Sequence, residues 1–124
     1  ATSSSQLAQM QSSYELLQAS AEKIEKVSNM VKSINNMGEI ISLQKEAINN
    51  VNIIMKSPKA NGESLNNINN ALVSISANIN IISKLLSNGL FNMTDKERID
   101  FFEDKRQRIL IDVVKTRIMK NRYQ

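Results

Sequence analysis

Two clusters in the sequence have residue types and spacing suited to chemistry. Arg117, Lys120 and Arg122 gather cations at the extreme C-terminus, with Tyr123 beside them as a ring for stacking. Such a set can neutralise phosphates, and a nucleic-acid-associated module would use it that way. With Arg106, Arg108 and Lys115 these cations make a longer basic field that Glu103, Asp104 and Asp112 interrupt, so a solvated helix with a basic end is the simpler reading. The second cluster is Glu22 and Glu25, which share a helix face at i,i+3. Lys23 and Lys26 accompany them, and ion pairing explains the four residues more simply than an acid–base dyad does.

Most other catalytic chemistry lacks its residues. The 124-residue chain has no His, no Cys and no Trp. The commonest general base, the thiol nucleophile and the soft metal ligands are therefore missing. Gly38, Gly62 and Gly89 stand alone, so no glycine-rich phosphate loop exists, and no Glu-x-x-His pair is present for a di-iron bundle. The expectation is a non-enzymatic protein with no cofactor and no metal. Its net charge of +4 is mild and mostly interleaved with acids, which makes nucleic acid an unlikely partner.

The elements that must position any site follow from the chain breakers. Pro58 in "KSPKANGE" and Gly89 in "SNGLFNMT" divide the sequence into segments at about 6–56, 64–88 and 95–121. In the middle segment Leu65, Ile68, Leu72, Ile75, Ile79, Ile82 and Leu86 recur in steps of three and four, which predicts a helix rather than a strand. Asn69, Asn70, Asn78 and Asn80, with Ser74, Ser76 and Ser83, argue against a membrane span, because lipid offers such groups no partners. The flanks Asn69, Ala71, Ser76, Asn78, Ser83 and Leu85 are uncharged, as expected of a middle helix with neighbours on both sides. A small-molecule sensor bundle is an alternative role, and it would need a polar-lined cavity beside this Asn-rich helix.

The third segment opens with "MTDKERIDFF", where Thr94 and Glu97 form a capping box and Asp95 adds charge at the positive end of the helix dipole. Its expected buried face is Ile99, Phe102, Ile109, Leu110, Val113, Val114 and Ile118, widened by Phe101, Ile111 and Met119. The first segment, read as one helix, would extend about 75 Å, with Gly38 as a tolerated glycine or a bend. Its stripe is narrow from Leu7 through Met10, Tyr14, Leu17 and Ile24 to Ile34, then wide from Ile40 to Met55.

These features predict an all-α single domain over 1–124. Its architecture is a three-helix bundle with a long first helix and coiled-coil-like packing. Residues 31–124 form the core, and residues 1–30 project as an arm or fold back on the bundle. A projecting arm would bind a protein partner or a second copy through Leu7, Met10, Tyr14, Leu17 and Ile24. The run "NMTDKERIDFFEDKRQRI", residues 92–109, resembles the start of the late helix in exported, largely helical conjugal-transfer proteins of Bacteroides-type conjugative transposons. Those proteins are similar to the minor pilus component of type IV secretion systems. The resemblance implies a periplasmic or surface component of a DNA-transfer apparatus that acts through protein contacts. Without it, a cytoplasmic adaptor is expected.

Overall fold

The computed structural model describes residues 4–28, 36–59, 61–88 and 92–123, with the side chains of 4–7, 23–28, 64 and 88 left aside. These residues form four helices: α1 (Ser4–Ser28), α2 (Met37–Lys56), α3 (Gly62–Asn88) and α4 (Asp95–Tyr123). The class is all-α as expected, but among the described residues the helix count is four rather than three. The difference lies in the first segment, which is two helices and not one long rod.

Asn36 marks the start of the second of these. Its backbone is left-handed, with φ 70°, a conformation that Asn tolerates better than most residues. Its carbonyl accepts the Ile40 N–H at 2.9 Å and so begins the α2 ladder. Its side-chain amide donates to Glu103 Oε2 on α4 at 3.1 Å, which fixes where α2 starts. Gly38 is not the bend: it lies inside the first turn of α2, with open space where a Cβ would stand.

Two helices dock side by side in each of two parallel pairs. Ser13 donates to Asn69 Oδ1 and Ser20 reaches Asn80 Oδ1 at 3.5 Å, so residue numbers rise together and α1 runs parallel to α3. The same holds for α2 and α4, where Asn36 meets Glu103, Asn50 meets Thr116 and Ser57 meets the Tyr123 carbonyl. Around the bundle the neighbour order is α1, α3, α4, α2, and α2 and α3 lie across the diagonal.

One core runs through all four helices. Met10 and Leu17 of α1, Ile40, Ala47, Val51 and Ile54 of α2, six seam residues of α3 from Leu65 to Ile82, and Phe102, Ile109 and Val113 of α4 are all buried in it. The seam read for α3 is therefore its buried face, with Leu86 half-buried at the end. The face of α4 differs from expectation. Ile99 and Ile118 point to solvent, while Asp112 and Thr116 are buried, because the stripe through 102, 109, 113 and 116 is the one that meets both neighbours.

Of the two placements expected for the first residues, α1 takes the folded-back one. With α1 packed along α3, Met10, Leu17, Ser20 and Ala21 are buried within the chain itself. Folding back buries an apolar seam that an isolated helix would leave in water, and tertiary burial is the main source of helix stability. The capping box forms as read: Thr94 N–H donates to Glu97 Oε1 at 3.2 Å and Glu97 N–H donates to Thr94 Oγ1 at 3.1 Å.

Two comparisons test this packing by urea denaturation. Ile75→Ala or Ile79→Ala should cost about 2 to 5 kcal/mol through the cavity left between helices, against about 1 kcal/mol for Thr94→Ala through the lost cap. Leu17, at 0% exposure, and Leu16, at 49%, are adjacent in sequence but opposite in environment. Leu17→Ala should cost about 2 to 5 kcal/mol and Leu16→Ala no more than about 0.5 kcal/mol. Equal small losses at both would mean that α1 is not docked.

Candidate functional site

Three of the residues singled out for partner binding on α1 face the chain's own core. Met10 and Leu17 lie in the core and Tyr14 packs against it, with the Tyr14 hydroxyl accepting a hydrogen bond from Gln18 Nε2 at 3.3 Å. The side chains of Leu7 and Ile24 lie outside the described residues, as do those of Lys23, Glu25 and Lys26. Glu22 is exposed.

The C-terminal cations separate into two settings. The Arg117 guanidinium forks onto Glu46 of α2, donating from Nε to Oε2 at 2.7 Å and from Nη2 to Oε1 at 2.8 Å. Lys120 is half-buried and adds its charge to the same carboxylate. Arg122 is exposed and lies roughly 140° around the helix from Arg117. The three cations therefore do not form one face.

Glu46 joins this ion pair to the interior. Asn50 Nδ2 donates to Glu46 Oε2 at 3.2 Å and to Thr116 Oγ1 at 3.2 Å, and Thr116 in turn donates to the Val113 carbonyl at 2.7 Å. Every hydroxyl and amide in this chain of contacts has a chemically consistent direction. The Arg117 hydrogen bond is the largest influence holding the Glu46 carboxyl below its ordinary value. Partial burial opposes it, and the Asn50 amide and the charges of Arg117 and Lys120 reinforce it.

On the other side of α4 a groove of about 500 Å³ opens between the first half of α3 and the last half of α4. Ile68 and Ala71 of α3 supply apolar surface, and Asn67, Asn70 and Ser74 supply polar groups. From α4 come Asp112, Lys115, Ile118 and Met119. The start of α3 thus faces the end of α4, and these two helices run antiparallel. Asp112 is only 6% exposed, and its partner is Lys115, whose Nζ lies 3.4 Å from Oδ1. The groove lies beside the Asn-rich helix, where a sensor bundle would need a polar-lined cavity, but the sequence reading took Asp112 only as an acid interrupting the basic field and not as a buried group.

Several large apolar side chains point outward. Ile111, at 59% exposure, and Ile118 stand seven residues apart on α4, on one face, and Val73 and Ile81 are exposed on α3. Among the described residues no cluster of three or more His, Cys, Asp or Glu could hold a metal ion, and no helix is long and apolar enough to cross a membrane.

The Glu46 carboxyl titrates lower in the folded chain than in the unfolded one. Its contribution is therefore complete above the unfolded value of about 4.3 and is lost as pH falls through the folded value. Glu46→Gln should lower the urea midpoint at neutral pH. The gap from the parent protein should close as the solution is acidified below about pH 4. A gap that persists unchanged in acid would mean that the Arg117 pair is not its source.

No family model, no curated protein and no solved structure matches this chain.

Proposed function

We propose that this chain is a non-enzymatic helical assembly module, whose working surface is the outer face of α4. The observation that supports this most directly is the pair Ile111 and Ile118, large apolar groups left in water one heptad apart. A helix from another molecule can dock on that spacing in a coiled-coil-like manner. The polar side chains between α2 and α4 support the same reading. Arg117, Glu46, Asn50 and Thr116 hold helices together, and Arg106 and Glu103 pair with each other and with residues of α2.

The partner surface is thus moved from the α1 seam to α4. A second copy of the chain is the first partner to consider. On the face of α4 that carries Ile111, Asp100 and Asp104 stand toward the start, paired with Lys96 and Arg108, and Lys115 and Arg122 stand toward the end. Antiparallel pairing of two α4 helices sets those ends against each other favourably. Within this proposal, the likeness of residues 92–109 to exported conjugal-transfer proteins suggests a component of a conjugative, type IV secretion apparatus that works by contact.

Sedimentation equilibrium over a range of concentrations tests the self-association. The parent chain should associate, and Ile111→Glu should weaken association at least about tenfold by placing a charge in the buried contact. Its melting should be unaltered, since Ile111 is exposed in the single chain. A parent chain that stays monomeric throughout, or an Ile111→Glu protein that associates as well as the parent, would remove α4 self-assembly.

A further inference from the structure

We infer that the groove between α3 and α4 is a binding site for a small zwitterion, an α-amino acid with an aliphatic side chain. The groove shares Lys115 and Ile118 with the α4 surface proposed above but not Ile111, so Ile111→Glu tests the assembly reading without touching the groove.

The charges set the ligand class. Asp112 is almost buried, yet its carboxylate lines the groove, and the ammonium 3.4 Å away belongs to a lysine side chain that is 61% exposed. A nearly buried carboxylate depends on its counter-charge, so a ligand must not leave it unpaired. A simple amine would take Asp112 and strand the Lys115 charge beside its own. A simple acid would take Lys115 and strand Asp112. An α-amino acid carries both charges about as close together as the groove's own pair, and it exchanges one internal ion pair for two intermolecular ones. The net charge of the site stays unchanged.

The rest of the groove fits the rest of such a molecule. Asn67 and Asn70 line it with amide groups that can donate to a carboxylate or accept from an ammonium. Ile118 and Met119 offer apolar surface for an aliphatic side chain, and the adaptable thioether suits a branched group. The volume of about 500 Å³ lies in the range of small-molecule sites. The groove contains no aromatic ring and no guanidinium, so nothing in it favours an aromatic or phosphorylated ligand.

The test is a two-dimensional amide NMR titration of the full chain with L-leucine, with isopentylamine, which lacks the carboxylate, and with 4-methylpentanoate, which lacks the amine. L-Leucine should shift the Asn67 and Asn70 side-chain amides, and each analogue should bind at least about tenfold more weakly. Lys115→Met takes the counter-charge from Asp112, so its fold is checked by melting before the titration. It should reverse the order, so that isopentylamine binds better than L-leucine. Asp112→Asn, checked by melting, should favour 4-methylpentanoate. The inference is overturned if L-leucine shifts no groove resonance, if the three ligands bind alike, or if Lys115→Met leaves their order unchanged.

Discussion

The arrangement depends on what α3 is allowed to carry on its two flanks. α1 closes one side and α4 the other, so a charge on either flank would be stripped of water without compensation. Glu63 and Lys84, the charges of α3, are both exposed. The flanks carry Asn, Ser and Ala, small enough for close approach and uncharged, and their polar groups must then find partners in neighbouring helices. On the α1 side Asn69 and Asn80 do so with Ser13 and Ser20. The Ser76 and Ser83 hydroxyls are buried with no hydrogen-bond partner, and each such group costs about 1 to 3 kcal/mol. The α1–α3 seam is therefore less well satisfied than its apolar burial alone would suggest.

The α2–α4 pair solves the same problem differently. Its buried polar groups form a connected set that runs from the half-exposed Arg117–Glu46 fork through Asn50 to Thr116 and the Val113 carbonyl. Because the set reaches solvent at one end, the charges sit where desolvation is modest and the neutral groups take the interior. The two ends of α2 are tied to α4 as well, at Asn36 by Glu103 and at Ser57 by the Tyr123 carbonyl. Register between α2 and α4 is thus set by directional bonds at three levels, whereas α1 is held mainly by apolar contact and small polar groups.

What the sequence made legible tracks how local each cause is. The Thr94 cap and the α3 seam follow from spacing within a few residues, and both appear as read. The start of α2 is marked by one residue in a left-handed conformation. Gly38 drew attention because glycine is the usual carrier of that conformation, yet Asn36, in "INNMG", takes it instead. The burial of Asp112 and the exposure of Ile111 and Ile118 run against side-chain polarity. They are fixed by where α3 and α2 meet α4, which periodicity within α4 cannot report. Hydrophobic spacing finds a seam but does not say which neighbour covers it.

The parallel pairing has a consequence for how the chain is made. Each helix docks along the one two elements later, so α1 leaves the ribosome well before α3 exists. Ser13 and its partner Asn69 are 56 residues apart, a delay of roughly 3 to 11 s at ordinary elongation rates. Through that interval Met10 and Leu17 lack α3, their main native neighbour, with only α2 to pack against, and a lone 25-residue helix is only marginally stable in water. The nascent chain therefore passes through a stage, set by topology rather than by composition, in which its first apolar seam is open to chaperones and to neighbouring nascent chains.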